Sequence, residues 1–285
     1  MPPVDTTDIL AGVDDIPWHA LGAGEVPRLL QNLADGAEDT AWLLEQLDER
    51  LWNQGTVYPA TPHAVPFITR LAVAGIESYW FARLVGHIAR TEEHSRFYAA
   101  DLGRAARDAA WDQAAVLAPL LADPEAEVRA STLWTLAACH PVDQVLPFVR
   151  ERWTREPDRT VQAVVLLALG ELDADLATGI GQEVLTNSAD ARLRLIAAAV
   201  HVDAGRPWQD RYGQAAIHWS ADGEELPEDF WDYRYHPLRH LVLALAVRRE
   251  YDLADEVVST CLAHATTDDV REYIADLAVE LAEVD

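Results

Sequence analysis

The chain has 285 residues and a formal net charge of −26, with 48 acidic residues against 22 basic ones. It contains no lysine, which excludes Schiff-base catalysis and a P-loop phosphate site. A strongly negative chain repels phosphate backbones, so nucleic acid is disfavoured as a ligand. A basic protein partner is electrostatically easier to accept, but the preferred explanation of the acidity is solubility. The missing lysines and the three asparagines, Asn32, Asn53 and Asn187, indicate GC-rich coding of the kind found in high-GC bacteria.

Three features predict a cytoplasmic protein. No run of about 18 uncharged apolar residues could span a membrane. The N-terminus lacks the basic start and the apolar core of a signal peptide. Cys139 and Cys261 lie within helical patterns, where they resemble small buried apolar residues rather than a disulfide framework.

The first predicted elements are two helices, Glu25–Ala34 and Asp39–Asn53. We expect Gly55 to cap the second of these, and Thr61 with Pro62 to begin the next helix as N-cap and first turn. Helices over Ile76–Arg90 and Ser95–Asp123 follow, the latter broken near Ala110 or Pro119.

A repeat governs the rest of the chain. The Val-Arg pair at residues 128–129 has counterparts at 161, 193, 238 and 270, and each opens an alanine- and leucine-rich helical run. The predicted helices are Pro124–Cys139, Val142–Thr154, Thr160–Leu172, Ala174–Thr186, Ala189–Ala204, Pro237–Glu250, Leu253–Ala265 and Asp268–Glu283. Helical units that recur about every 32 residues are typical of an α-solenoid. We therefore predict an all-α fold, a single α-solenoid of stacked helix pairs over residues 1–285.

One segment, Pro207–His236, interrupts this period and is predicted to be an insertion loop rich in acids and aromatic side chains. Its aromatic residues are Trp208, Tyr212, Trp219, Phe230, Trp231, Tyr233 and Tyr235. Insertions in solenoids often map to the binding face, where aromatic residues serve as interface anchors. The alternative is that these side chains pack the loop onto the solenoid, since so large an exposed cluster is unusual.

The segment Leu51–Ile68 reads Leu-Trp-Asn-Gln-Gly-Thr-Val-Tyr-Pro-Ala-Thr-Pro-His-Ala-Val-Pro-Phe-Ile. It resembles a segment of bacterial HEAT-repeat proteins, and the run Asp123–Arg129 resembles the opening of HEAT repeats of the phycobilisome-lyase-like and armadillo-like kind. Asn53 stands where that segment usually has histidine, so no role of the imidazole carries over. The resemblance implies a helical scaffold for other macromolecules, with no reaction attached.

Gln54, Tyr58 and His63 are the polar members of that segment. They are candidates to line a small polar pocket between two helices. The favoured alternative is structural: their side chains would bond unpaired backbone groups of a long turn.

No metal or cofactor site is predicted. His236 and His240 have a helical spacing, with Asp232 four residues before, but Pro237 places His236 outside the helix. The group Glu92, Glu93, His94 with His87 nearby lacks the spacing of a known metal motif, and no Gly-rich phosphate loop or nucleophile elbow occurs. A basic stretch contains Arg83, Arg90, Arg96, Arg104 and Arg107, and we expect it to be a solvated face.

Three hypotheses of function follow. The first is a non-enzymatic scaffold or regulator, immunity- or antitoxin-like, that binds a basic protein partner through its concave face and the aromatic insertion. The second is a small-molecule-binding or enzymatic protein that uses residues 207–236 as a lid. The third is a DNA-acting enzyme, which the net charge disfavours.

Overall fold

The computed structural model describes residues 9–92, 98–222 and 237–284. Its first half contains α1 (Val26–Ala34), α2 (Thr40–Leu51), β1 (Trp52–Asn53), β2 (Thr56–Val57), α3 (Thr61–Val73), α4 (Ser78–Ala89), α5 (Ala100–Trp111), α6 (Ala114–Leu117) and α7 (Ala126–Ala137). The remaining helices are α8 (Val142–Arg155), α9 (Arg159–Leu172), α10 (Ala174–Asn187), α11 (Ala191–Asp203), α12 (Asp210–Asp222), α13 (Pro237–Val247), α14 (Tyr251–His264) and α15 (Asp268–Val284). Many helices that are neighbours in the chain pack on one another, which confirms the predicted all-α class of stacked helices.

The chain divides into two compact units, Met1–Arg152 and Trp153–Asp285. In the first unit α4 packs on α3, α5 and α7. In the second, α11 packs on α9, α10, α12 and α13. The continuity of one solenoid over residues 1–285 stays a prediction.

Aspartates begin several helices because their carboxylates accept bonds from backbone N–H groups that have no partner within the helix. Asp158 accepts from the backbone N–H groups of Thr160 and Val161 at the start of α9. Asp173 and Asp190 cap α10 and α11 in the same way. Three consecutive helices of the second unit, α9 to α11, therefore each begin with an aspartate cap.

The predicted insertion loop is partly helical. Asp210–Asp222 forms α12, which packs on α11 and α14. The loop prediction was wrong there because the polar residues of this segment mask buried Tyr212, Ala215, Ala216 and Trp219, which recur at helical spacing on one face. Residues 223–236 lie outside the described part of the chain.

Within the described residues, no helix is both long and apolar enough to span a bilayer. Cys139 and Cys261 are free and fully buried. Burial raises the pKa of the Cys139 thiol to about 12 and that of Cys261 to about 11. Both thiols are therefore protonated packing groups.

Candidate functional site

A cavity of about 180 Å³ in the first unit combines opposite charges with aromatic walls. We call it the Asp48 pocket, and its lining residues are Asp48, Trp52, Trp80, Arg83, Leu84 and His87. Three elements supply them. Asp48 lies in the last turn of α2, Trp52 begins β1, and the other four belong to α4.

The four residues of α4 share one face of the helix because they are spaced by three, four and seven residues. Leu84 is almost fully buried and forms an apolar part of the wall. Trp80, Arg83 and His87 are half-buried, so each keeps part of its surface open to a ligand. Asp48 and Trp52 are also half-buried.

A two-residue hairpin turn positions Trp52. Trp52 pairs with Val57 across β1 and β2, and Gln54 and Gly55 form the turn with φ angles of 50° and 84°. Positive φ at both central residues is the requirement of the type I′ turn. The predicted role of Gly55 as a helix cap was therefore wrong, because α2 already ends at Leu51 and Gly55 forms the hairpin turn.

Thr61 fastens this hairpin to the helices on either side. Its hydroxyl donates to the carbonyl oxygen of Leu51 at the end of α2, and accepts from the backbone N–H of Tyr58 at 2.9 Å. Thr61 is fully buried and is the first residue of α3. The chain that carries Trp52 is thus held at both ends.

Three aromatic rings extend inward from the pocket. The Trp52 and His87 rings stack with centroids 4.4 Å apart and planes 27° apart. The His87 ring meets Trp134 of α7 in an edge-on contact, with centroids 4.8 Å apart. Stacked and edge-on pairs are favourable arrangements for aromatic quadrupoles, so these contacts orient the pocket wall.

The close packing of α4 on α7 holds the aromatic wall of the pocket in place. A Cβ atom added at Gly86 would lie 2.4 Å from Cζ3 of Trp134 and 2.5 Å from Oγ1 of Thr135. The Thr135 hydroxyl lies 2.7 Å from the carbonyl oxygen of Ala82. Arg90 donates to the carbonyl oxygen of Trp134 at 2.8 Å, and its guanidinium carbon lies 4.5 Å from the centroid of that ring. Glycine at position 86 is what allows this approach.

The electrostatics of the pocket centre on Asp48. Burial raises the pKa of its carboxyl from 3.8 to about 6, and the opposite charge of Arg83 acts to lower it. Burial therefore outweighs the attraction of the arginine. A partly buried carboxyl with a raised pKa in a cavity is a candidate for a functional group.

The residues predicted to bind a ligand lie elsewhere. Gln54 and His63 are exposed and Tyr58 is half-buried, and none of the three lines the Asp48 pocket. The hydroxyl of Thr61, rather than these three side chains, forms the hydrogen bonds with the backbone groups of Leu51 and Tyr58. Their role in binding stays a prediction.

Tyr212 and Trp219 belong to the core of the second unit, where they are 0% and 1% exposed. Tyr212 stacks on His201 of α11 with centroids 5.5 Å apart, and Trp208, which is half-buried, meets Tyr212 edge-on at 5.7 Å. Trp219 meets Tyr273 of α15 edge-on at 6.5 Å. These positions favour the packing alternative. Phe230, Trp231, Tyr233 and Tyr235 lie outside the described residues.

The histidine pair considered for a metal has a different environment. His240 Nε2 lies 3.9 Å from a carboxylate oxygen of Asp203, and the interaction with His240 lowers the pKa of Asp203. His236 lies outside the described residues. In the described part of the chain, no three His, Cys, Asp or Glu side chains are grouped to hold a metal ion.

Sequence reasoning missed Asp48, Trp52 and Trp80 as site residues. Asp48 and Trp52 are four residues apart, at the junction where the helical pattern gives way to a Gln-Gly turn. The pattern Trp80, Arg83, His87 places two polar groups and one indole on a single helical face. Neither signal is specific, because half-buried tryptophans occur in most helical cores.

No family model matches the chain, and no curated protein or solved structure matches it significantly. The fold and the pocket therefore define only a class, an all-α protein of stacked helices with a small polar cavity that two tryptophan side chains help to line. In that cavity Asp48 can accept hydrogen bonds, Arg83 can donate them, and the indoles can contact a flat ligand.

Proposed function

We propose that the chain binds a small polar molecule in the Asp48 pocket. Ligand sites are cavities in which a few polar groups converge to fix the orientation of a ligand, and in this pocket a carboxylate, a guanidinium and an imidazole converge beside two indoles. Its volume of about 180 Å³ lies below the range of about 300–1,000 Å³ that is typical of sites for drug-sized ligands. The expected ligand is therefore no larger than a single substituted ring.

The observation that carries this proposal is the half-buried carboxyl of Asp48 beside the aromatic wall. Holding a carboxylate in a partly desolvated position costs stability, as its raised pKa reflects. A glutamine or leucine there would avoid that cost. A ligand that donates to Asp48 would supply the hydrogen bonds that the carboxylate loses on burial.

A thermal-shift screen of ring-sized polar compounds tests the proposal. Compounds that bind the folded protein raise its melting temperature, and the effect grows with concentration. The same hits should fail to stabilise the Asp48→Asn and Trp52→Ala variants. They should still stabilise a Glu45→Gln variant, which removes an exposed carboxylate on the same helix. Equal stabilisation of all four proteins would place binding outside the pocket.

A second candidate function is a scaffold that binds a basic protein, supported by the net charge of −26 and the resemblance to HEAT-repeat proteins. Opposite charges accelerate association and make it sensitive to salt. The test is reconstitution with a purified basic partner found by pull-down. A complex whose association rate is unchanged between low and high salt would contradict this candidate.

A further inference from the structure

We infer that the Asp48 pocket selects a flat, uncharged ring that presents an N–H donor to Asp48 and, on the same edge, a carbonyl acceptor to Arg83. The ligand class rests on the proposed function of this pocket. The inference adds which chemical groups of the pocket would bind one kind of small molecule in preference to others of the same size.

The aromatic walls of the pocket favour a flat ligand. Trp52 is held by its hairpin and by the stacked His87 ring, so its indole is preorganised. Trp80 lies on the face of α4 that also carries Arg83 and His87, and its ring meets Phe81 edge-on at 5.2 Å. Fixed aromatic surfaces favour ligands that offer a planar π face, as stacking of bases on aromatic side chains shows.

Asp48 and Arg83 together favour a ligand edge that carries both a hydrogen-bond donor and a hydrogen-bond acceptor. An ionised carboxylate only accepts hydrogen bonds, and a guanidinium only donates them. Asp48 and Arg83 line the same cavity of about 180 Å³, so one ligand in it can meet both groups. Arg83 Nη1 also lies 3.5 Å from the hydroxyl of Tyr79, one turn earlier on α4.

Charged ligands of the same size fit this pair less well. An anionic ring would bring its charge against Asp48, and a cationic ring would bring its charge against Arg83. Like charges that meet in a partly desolvated site are unfavourable. A neutral lactam edge, with N–H beside C=O, satisfies both groups without adding a net charge.

The probe is isocytosine, whose edge carries a carbonyl oxygen next to N–H donors, measured by ligand-observed NMR. The matched probe is 3-methylisocytosine, which keeps the ring and loses the central N–H. Benzoate and benzamidine serve as flat anionic and flat cationic rings. Variants are Asp48→Asn and Arg83→Gln, with Glu45→Gln and Arg28→Gln as exposed controls that make the same changes on α2 and α1.

We expect isocytosine to bind the wild type, and methylation at N3 to weaken binding about 10- to 100-fold, the range for a lost hydrogen bond to a charged group. Asp48→Asn and Arg83→Gln should each weaken isocytosine, and the two controls should not. Circular dichroism of each variant distinguishes lost binding from lost fold.

Two results would overturn the ligand class in different ways. Tight binding of benzoate or benzamidine with no binding of isocytosine would contradict the preference for an edge with both a donor and an acceptor and leave the pocket as a ligand site. Absence of binding by all four rings, with no hit from the thermal-shift screen, would contradict the proposed function itself. Equal binding of isocytosine and its N3-methyl derivative would remove the role of Asp48 as acceptor.

Discussion

Aromatic side chains have different surroundings in the two units of this protein. In the first unit Trp52 and Trp80 are half-buried beside a carboxylate and a guanidinium, and they border a cavity. In the second unit Tyr212 and Trp219 are fully buried among apolar helix faces. The difference indicates that aromatic content alone does not locate a site. Partial exposure next to desolvated charge is the more informative sign.

The largest expected effect concerns the buried aromatics. Trp219→Ala should lower the free energy of unfolding by about 3–5 kcal/mol, because it opens a cavity in the core of the second unit. Trp52→Ala should cost less, about 1–2 kcal/mol, since its side chain is only partly buried and loses the stacked contact with His87. Chemical denaturation of both variants measures the difference. Equal losses would mean that Trp52 is also a packing residue.

The next effect concerns the support behind the pocket. Gly86→Ala should destabilise by about 1–3 kcal/mol, because the new methyl group meets the buried Trp134 ring and Thr135 hydroxyl. The matched change Gly179→Ala meets no atom within 4 Å on an exposed position of α10, and should stabilise by about 0.5–1 kcal/mol. Thermal melts compare the two. A neutral Gly86→Ala would show that α4 and α7 do not need their close approach.

A smaller effect on the stability of the folded state comes from the charge of Asp48. Because folding raises the pKa of Asp48 from 3.8 to about 6, the folded state holds this proton more tightly than the unfolded chain does. The contribution of this group to stability therefore falls as pH rises through that window, and the penalty is complete above it. Asp48→Asn should remove the penalty and stabilise the protein at neutral pH by about 1 kcal/mol, a value that discounts the shift for solvent screening.

Urea denaturation of the wild type, Asp48→Asn and Glu45→Gln at about pH 4 and about pH 7 tests this sign. The gain of Asp48→Asn over the wild type should be present at the higher pH and shrink at the lower one. Arg83 and His87 face Asp48 from α4, so their interactions with its charge are lost in Asp48→Asn and are included in the measured difference. A variant that is less stable than the wild type at neutral pH would contradict the desolvation of Asp48.

The smallest expected effect is on ligand binding as a function of pH. Asp48 accepts hydrogen bonds best when it is ionised, so binding of a donor ligand should strengthen as pH rises through about 6. The dependence should be absent in Asp48→Asn, which separates Asp48 from His87 in the same pocket. Affinity that weakens as pH rises would indicate that the protonated carboxyl is the binding form.

Much of the fold could be predicted because helical periodicity and the recurring Val-Arg openings are local signals. The predicted helices Thr160–Leu172 and Ala174–Thr186 differ from α9 and α10 by one residue at one end each. Gly55 was misassigned because glycine with positive φ ends helices and forms hairpin turns equally well, and only the pairing of Trp52 with Val57 decides between them.

The site was harder to predict because it depends on contacts between distant residues. Asp48 becomes desolvated only when α4 packs beside the end of α2, and Trp52 becomes a wall only when His87 stacks on it. Conversely, the aromatic residues at 212 and 219 resemble a binding loop in sequence because polar neighbours surround them. Their burial follows from the packing of α12 on α11 and α14, which spacing alone does not specify.

The most direct test of the contrast between the two units is a titration of the tryptophan indole N–H signals with isocytosine, followed by ¹H–¹⁵N NMR. The chain has ten tryptophans, so one spectrum reports on both units at once. We predict that the signals of Trp52 and Trp80 shift on saturation while that of Trp219 does not. A shift confined to Trp219, or no shift of Trp52 and Trp80 under conditions where the probe binds, would contradict the assignment of the Asp48 pocket as the ligand site.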